Sequence, residues 1–370
     1  MVSADLLRAR LDRARAAAAE AGVGALVVAP GSDLRYLVGG TVVSHERFTS
    51  LVLPVAGPPV LVVPKLEAPG YAPYDLPGLG VEFATWVDGE DPYALVRAAV
   101  GEPGAVALGD MLPALHVLGL RAALPGVEQV LAGPVLRGLR MVKDAAEVEQ
   151  LRAAGAAIDR VHARMGEWLR AGRTEAEVAA DIAAAIVAEG HATAKFVIVG
   201  SGPNGASPHH DVSDRVIETG DVVVVDIGGP LGSGYCSDCT RTYAVGQPRD
   251  ADVAEAYAAL QRAQAASVAA VRPGVSAESV DAVGRQVLAD AGLAEFFIHR
   301  TGHGIGLDGH EHPYIVAGDT TELVPGMAFS VEPGVYFPGR WGARIEDIVV
   351  VTDDGVEPLN TRPHELVVLG

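Results

Sequence analysis

The pattern of apolar and polar residues predicts short strands and amphipathic helices along the first third of the chain. Leucines at helical spacing predict a helix over 4–21, which ends at Gly22, and a second helix over 92–100. Apolar runs predict strands at 25–29, 49–54, 60–63 and 106–108. Because alternating elements of this kind form a sheet with helices packed on it, we assign residues 1–136 to an α/β domain.

The remainder of the chain contains a weak internal duplication. A boundary is predicted near 138–142, followed by a long helical segment from about 144 to 169. The segment LRAGRTEAEVAADIAAAIVAEG (169–190) aligns with VRPGVSAESVDAVGRQVLADAG (271–292) at a constant offset. Each copy predicts a glycine turn, a Ser or Thr N-cap and a helix, and strands follow both. We therefore assign 143–370 to a second domain that is built from two similar halves.

Four acidic residues and one histidine lie in short segments that the apolar pattern predicts to be buried. They are Asp226 in VVVVDIGG, Asp238 in YCSDCTRT, His303 in TGHGIG, Glu332 in SVEPGVY and Glu346 in GARIEDIVV. An ionised carboxylate in an apolar strand is costly unless it is paired or bound to a metal. Each duplicated half contributes one pair of acids, and two divalent cations would balance the four charges. The sequence therefore predicts a site for two metal ions.

The residue types indicate which metal this site would prefer. Oxygen-rich ligation with one histidine differs from a structural zinc site, which favours sulfur and nitrogen. It fits Mn²⁺ best, with Co²⁺, Zn²⁺ and Fe²⁺ as alternatives. Two ions about 3.5–4 Å apart could share a bridging hydroxide as the nucleophile and hold the oxygen of the attacked group.

Two other motifs suggest different chemistry and are rejected on their context. The CSDC segment resembles a thiol pair, but strand alternation places Cys239 on the face opposite to Asp238, whereas a thiol pair needs a turn. GSGPNG (200–205) resembles a dinucleotide-binding loop, but prolines interrupt the segment where a helix must begin. Its glycines more simply allow a loop to bring His209 close to the site.

Two loop histidines are the best candidates for contacts with a substrate. His209 precedes Asp226 on the glycine loop, and His310 follows His303 across a glycine-rich bend. Either imidazole could donate a hydrogen bond to a developing oxyanion. The roles of His210 and His312 stay open.

Bulk composition excludes several classes of partner. The chain has 370 residues, a net charge of −19 and a pI of about 4.9, which argue against binding to nucleic acid or to an anionic membrane surface. Only two cysteines occur, so no disulfide framework is expected. Apolar runs are too short to span a bilayer. The Arg- and Ala-rich N-terminus contains acidic residues, so we interpret it as a helix rather than a transit peptide. We expect a soluble cytoplasmic protein.

The motifs together resemble those of the M24 pita-bread metallopeptidases: Xaa-Pro dipeptidases (prolidases), aminopeptidase P and methionine aminopeptidases, with creatinase as a related fold. The likeness spans about 143–370 and rests on SGPNGASPHH, VVVVDIGG, GYCSDCTRTY, TGHGIGLDGHE, SVEPGVYFPG and GARIEDIVV. The segment GALVVAPGSDLRYLVGG also resembles the creatinase/prolidase N-terminal domain. The resemblance implies an α+β pita-bread domain with pseudo-twofold halves, preceded by the α/β domain. This two-domain layout favours prolidase or aminopeptidase P over methionine aminopeptidase.

The resemblance also implies a role for each matched residue. Asp226 would chelate one metal, Asp238 and Glu346 would bridge the two, and His303 and Glu332 would complete the other site. His209 and His310 match histidines that contact the substrate and the tetrahedral intermediate. Arg344 matches an arginine that orients carboxylates near the site. Glu332 is also the candidate that passes a proton to the leaving nitrogen.

The leading functional hypothesis is hydrolysis of the Xaa-Pro bond in dipeptides, with aminopeptidase P activity on longer peptides as the alternative. Two departures from the family pattern bear on this choice. Gly309 stands where a branched aliphatic residue is usual, and Tyr314 stands where some prolidases place an arginine that grips the C-terminal carboxylate of proline. A metal-free creatinase-like hydrolase and a non-catalytic binding protein are less favoured because all five metal-ligand positions are intact. The resemblance implies a homodimer, in which residues 45–48 could approach the partner's site.

Overall fold

A six-stranded mixed sheet organises the first of two units, Met1–Arg140, in the computed structural model of the protein, which describes residues 2–42 and 45–370. Its elements are α1 (Ala4–Glu20), β1 (Ala25–Val28), α2 (Ser32–Val38), β2 (Ser50–Pro54), β3 (Val60–Pro64), β4 (Glu82–Trp86), α3 (Pro92–Val100), β5 (Ala105–Leu108), α4 (Ala114–Ala123), β6 (Glu128–Leu131) and α5 (Gly133–Met141). The strand order is β4-β3-β2-β1-β5-β6. The expected α/β character of this region is confirmed.

Differences from the sequence prediction in this unit fall on exposed or short elements. The predicted helices and strands are present, with ends shifted by a residue. The pattern missed α2, α4, β4 and β6; β4 and β6 are mostly exposed and so lack an apolar repeat. Residues 138–142, expected as a boundary, contain the end of α5. Phe48, suggested to approach a partner, is instead 1% exposed and packs against Tyr93 in the core of its own unit.

The second unit, Met141–Gly370, contains four helices and eleven strands in its described residues. These are α6 (Ala145–Ala163), α7 (Glu175–Ala188), β7 (Phe196–Ser201), β8 (Val222–Pro230), β9 (Cys236–Val245), α8 (Val253–Ala270), α9 (Ala277–Asp290), β10 (Gly302–Gly304), β11 (Glu311–Ile315), β12 (Ala328–Val331), β13 (Gly334–Phe337), β14 (Trp341–Arg344), β15 (Asp347–Val351), β16 (Val356–Pro358) and β17 (Val367–Leu369). One sheet has the order β17-β9-β8-β7, another has β11-β10-β12-β15-β16, and β13 and β14 form a hairpin. The long helix expected over 144–169 ends at Ala163 and is followed by a 3₁₀ turn.

Backbone hydrogen bonds repeat between the two halves of this unit. The Gly172 amide donates to the Ile217 carbonyl at 2.9 Å, and the Gly274 amide donates to the Leu323 carbonyl at 2.9 Å. Thr174 is the N-cap expected at the start of α7, and it forms a capping box with Glu177. The duplication is therefore structural, and it agrees with the pita-bread fold that the resemblance implies.

Strand alternation in β8 and β9 decides which side chains face the helices. Val225 and Ile227 of β8 and Cys239 of β9 belong to the apolar core that α6 and α7 cover. Asp226 and Asp238 alternate with them, so both acids face the other side of the sheet. The prediction that Asp238 and Cys239 lie on opposite faces is confirmed. The hairpin loop between the two strands is short, because β8 continues through Pro230 and β9 begins at Cys236.

The second half follows the same rule. Phe329 and Val331 of β12 and Val349 of β15 pack with Val280 of α9. Ser330 alternates with Phe329 and Val331 and therefore faces the other side, where its hydroxyl accepts a hydrogen bond from the backbone amide of His303 at 3.0 Å. Each half thus has one helix-covered face and one face that carries polar groups.

We expect Gly302→Ala to destabilise the second unit. A Cβ atom on Gly302 would lie 1.8 Å from the Ser330 carbonyl oxygen, so β10 and β12 would have to move apart. Overpacking of this kind costs about 1–3 kcal/mol, which corresponds to a fall in melting temperature of roughly 2–10 °C for a unit of this size. The measurement is thermal unfolding of the metal-free protein. Gly232→Ala is the matched control, because no atom lies within 4 Å of its added Cβ; an equal melting temperature for both variants would contradict the close approach.

Candidate metal centre

Five side chains from both halves converge on one buried space. Asp226 lies in β8, Asp238 in β9 and His303 in β10, while Glu332 follows β12 and Glu346 lies between β14 and β15. Donor atoms of Asp226, Asp238 and Glu346 lie within 4.8 Å of one another, and so do those of His303, Glu332 and Glu346. Glu346 belongs to both groups and is 1% exposed. The structure therefore brings together all five residues that the sequence nominated as ligands.

A hydrogen bond from the ring nitrogen Nδ1 orients His303. Nδ1 lies 3.1 Å from the Gly304 carbonyl oxygen and donates to it. Nε2 lies 3.2 Å from Glu332 Oε1 and 3.7 Å from Asp238 Oδ2. In the neutral ring this tautomer leaves the Nε2 lone pair directed at the carboxylates, which is how a metal-binding histidine is usually held.

Arg344 is buried behind the carboxylates and is fixed by three donor contacts. Nη2 donates to Asp226 Oδ2 at 2.6 Å, Nη1 to the Tyr336 hydroxyl at 2.8 Å, and Nε to Thr240 Oγ1 at 3.1 Å. The Tyr336 hydroxyl lies 2.8 Å from Nε2 of His299 and can donate to it. Sequence reasoning nominated Arg344 but missed Tyr336 and His299, which have no local pattern.

Thr240 joins the two halves at the centre. Its hydroxyl donates to Glu346 Oε2 at 2.7 Å, and its carbonyl accepts from the Glu346 amide at 3.1 Å. In register, Thr240 stands opposite Asp226 on β8. Its position on the same strand face as Asp238 was the sequence signal that could have identified it.

The electrostatics of the group fit divalent metal ions. Asp226 Oδ1 is buried and accepts no hydrogen bond from any described residue. Burial, and then the nearby charge of Glu346, raise the pKa of Asp238 well above its ordinary value. Burial and the charge of Glu332 do the same to the pKa of Glu346. Divalent cations would relieve this repulsion, and the oxygen-rich donor set with one imidazole suits them.

The two loop histidines lie at the exposed side of the centre. The ring of His310 is 3.9 Å from that of His303 between centroids, and its nitrogen falls within 4.8 Å of donor atoms of His303 and Asp238. His209 is exposed on the loop after the 3₁₀ turn Gly202–Ala206. Desolvation is the main cause that lowers the pKa values of His299 and His310 to about 4, and the charge of His209 contributes to both shifts. His209 is therefore within electrostatic reach of this face.

The other two histidines have different surroundings. His210 Nε2 lies 2.8 Å from Glu175 Oε2, so His210 faces a buried acid rather than the ligand group. The ring of His312 packs against Tyr314, with centroids 4.3 Å apart. Near His310, a Cβ on Gly309 would lie 3.5 Å from Lys195 Nζ. That is an ordinary contact distance, so Lys195 Nζ lies close to the backbone beside His310.

Glu175 anchors the loop that carries His209. The carboxylate, in a residue with 0% exposure, accepts hydrogen bonds from the Ser201 amide and hydroxyl at 2.8 and 2.7 Å. It also accepts from the Asn204 side chain at 3.1 Å and the Ser213 hydroxyl at 2.6 Å. Burial opposes ionisation, but these bonds outweigh it and lower the pKa of Glu175 below its ordinary value of 4.5. Sequence reasoning saw Glu175 only as part of a helix.

Comparison with known proteins agrees with this architecture. The model for metallopeptidase family M24 matches residues 149–353, and that for the creatinase/prolidase N-terminal domain matches residues 10–142. The chain belongs to metallopeptidase family M24, whose members depend on metal ions, and it is an enzyme that acts on peptides.

The similar proteins include dipeptidases over nearly their whole length. The chain is 61% identical to the probable dipeptidase PepE of Mycobacterium tuberculosis over 367 residues, which cover 99% of this chain and 97% of that protein. It is 33% identical to the Xaa-Pro dipeptidase of Lactobacillus helveticus, with 91% and 92% covered. The crystal structure of dipeptidase PepE from Mycobacterium ulcerans matches with a TM-score of 0.95 and 61% identity, covering 100% of this chain and 99% of that one.

Within residues 2–42 and 45–370, no helix combines the length and the apolar character that crossing a bilayer requires.

We expect Glu175→Gln to lower the free energy of unfolding by about 2–3 kcal/mol at pH 7, because hydrogen bonds to a charged acceptor are lost. Since the pKa of Glu175 is lowered in the folded state, its contribution is complete above about pH 4.5 and is lost as the pH falls through the folded-state pKa. The difference between variant and wild type should therefore shrink from pH 6 to pH 3. Denaturant titrations at several pH values measure it. Glu177→Gln, on the same helix, is the control; a pH-independent difference would show that the charge of Glu175 contributes nothing.

Proposed function

We propose that the protein is a dinuclear metal-dependent Xaa-Pro dipeptidase. The observation that carries this proposal is the shared position of Glu346 in two adjacent donor groups, one containing two acids of the first half and the other containing His303 and Glu332. Two groups that share one carboxylate suit two neighbouring ions. The names of relatives, including Xaa-Pro dipeptidase, support the choice of substrate.

The ligands divide between two ions. In this proposal five side chains would hold the ions: Asp226 would serve one position, His303 and Glu332 the other, and Asp238 and Glu346 would serve both. Mn²⁺ is the preferred metal, with Co²⁺, Zn²⁺ and Fe²⁺ as alternatives, because oxygen donors dominate. When bound, the ions supply a hydroxide nucleophile at neutral pH and polarise the carbonyl that is attacked.

The protein groups supply the remaining steps. His310 and His209 donate hydrogen bonds to the peptide, with His310 aimed at the oxygen on which negative charge develops. Glu332 accepts a proton from the attacking water and delivers it to the leaving nitrogen. Arg344 holds Asp226 in place through its 2.6 Å contact. The leaving group is the secondary amine of proline, and a general acid is needed because the amine leaves only when its nitrogen is protonated.

A second candidate is aminopeptidase P activity on longer peptides. The feature that favours it is Tyr314, an uncharged side chain at the position where the resemblance places a carboxylate-gripping arginine in some prolidases. A peptide extended beyond proline has no carboxylate there. As in the family, we propose that the active form is a homodimer.

We expect a chelator to abolish cleavage of Ala-Pro and Mn²⁺ or Co²⁺ to restore it. Glu346→Gln and Asp238→Asn should each lose bound metal as well as activity, because each residue contributes to more than one donor group. Metal content is measured by elemental mass spectrometry alongside activity. Asp281→Asn, a buried acid paired with Arg285 outside the ligand group, should keep its metal. Full activity in the metal-stripped protein would refute the mechanism.

Comparison of Ala-Pro with Ala-Pro-Ala distinguishes the two candidate activities. A dipeptidase should show a kcat/KM for Ala-Pro at least about 10-fold higher, which corresponds to about 1.4 kcal/mol in transition-state binding. Release of free alanine from each peptide is the measurement. A preference for the tripeptide would replace the dipeptidase assignment with aminopeptidase P, and cleavage of neither would reject both.

A further inference from the structure

A guanidinium group lies beside His310 at the exposed side of the centre. Arg300 Nη2 is 3.3 Å from His310 Nδ1, and Arg300 Cζ lies 4.4 Å from the centroid of the Tyr314 ring. Arg300 comes shortly before β10, and Tyr314 lies in β11, where it pairs with His303. The strand pair that carries a metal-ligand histidine therefore also provides the aromatic surface on which the guanidinium rests.

The contact between Arg300 and His310 is compatible with only one neutral form of the imidazole. A guanidinium group donates hydrogen bonds and cannot accept them. Nδ1 of His310 must therefore offer its lone pair, and the ring proton must be on Nε2. In the opposite tautomer, and in the protonated ring, two N–H groups would face each other at 3.3 Å.

The contact with Arg300 leaves one ring nitrogen of His310 available to a substrate. The ring of His310 is tilted against that of His303, 3.9 Å away between centroids, beside the carboxylate of Asp238. Because Nδ1 is occupied by Arg300, Nε2 is the nitrogen that remains for the site. An Nε2–H group there is a donor for an oxygen that gains negative charge, whereas an Nε2 lone pair would repel it.

We infer that Arg300 is a positioning residue that holds His310 in the Nε2–H tautomer, with Tyr314 fixing the guanidinium in place. The inference rests on the proposed peptidase function, because it is the attacked peptide carbonyl that needs the donor. The inference also gives a role to Tyr314, because its ring supports the Arg300 guanidinium that contacts His310.

The test is a double-mutant cycle on the Mn²⁺-loaded full-length enzyme with Ala-Pro as substrate. We expect Arg300→Gln to lower kcat about 10-fold with little change in KM, because the hydrogen-bond donor to the oxyanion is only partly lost. His310→Ala removes that donor and should lower kcat by about 10²–10³-fold. In the His310→Ala background, Arg300→Gln should have no further effect. Arg300→Lys should retain most of the activity, since lysine also only donates. Arg164→Gln, which removes an arginine that stacks on Trp168 with Cζ 5.0 Å from the ring, is the matched control and should leave kcat unchanged.

A second readout does not depend on turnover. The readout is the ¹⁵N NMR signal of the His310 ring nitrogens in metal-free and Zn²⁺-loaded protein labelled with ¹⁵N-histidine. These signals are assigned as the ones that disappear in His310→Ala. Wild type should show a protonated Nε2 and an unprotonated Nδ1, and Arg300→Gln should show averaging between the tautomers.

Four results would overturn the inference. An Nδ1–H tautomer in wild type, or an unchanged ring signal in Arg300→Gln, removes the positioning role. Multiplicative loss in the double variant shows that Arg300 acts independently of His310. A raised KM at constant kcat shows that Arg300 binds the substrate directly. An inactive metal-loaded wild type would instead refute the proposed function, while the ring signals would still decide the tautomer.

Discussion

Mutual repulsion among four closely spaced carboxylates is the constraint on which the second unit depends. Side chains that would separate in water are held together because each lies in or directly beside a strand of a sheet whose opposite face is packed against helices. The protein offsets part of the repulsion with Arg344 on Asp226 and with the Thr240 hydroxyl on Glu346. The raised pKa values of Asp238 and Glu346 show that this compensation is incomplete without cations. Metal binding and the fold are therefore linked through the same few contacts.

In the proposed function, the metal ligands and the substrate contacts lie on different parts of the chain. The five candidate ligands lie in or directly beside strands, whereas His209 and His310 are exposed on loops. Loops would position these rings poorly by themselves. Buried or stacked groups hold the loops in place. Glu175 accepts hydrogen bonds from the backbone and side chains of the first loop, and Arg300, which stacks on Tyr314, contacts His310. A duplicated fold has thus been adapted differently in its two halves, since the first uses a buried acid and the second a cation on an aromatic ring.

Sequence patterns predicted the parts that depend on neighbouring residues. The period-two alternation correctly placed Asp238 on the face opposite to Cys239, and the predicted Ser or Thr N-cap is found at Thr174. Prediction was weaker where burial comes from distant segments. The exposed strands β4 and β6 gave no apolar signal, and Phe48 seemed free to approach a partner until its packing against Tyr93 was known. His210 stayed ambiguous because its partner Glu175 lies in α7, 35 residues earlier in the chain.

The sequence alone indicated the fold class, through the resemblance of its motifs to a known family. It also indicated the duplication and the five residues that converge, because a repeat, strand periodicity and the cost of a buried charge are local properties of the chain. Only the tertiary structure decided how those residues are held. The contacts of Arg344 with Asp226, of Thr240 with Glu346 and of Arg300 with the His310 ring depend on how strands and loops cross in space. Hydrogen-bond geometry of this kind fixes a tautomer or a carboxylate orientation, and no repeat in the sequence encodes it.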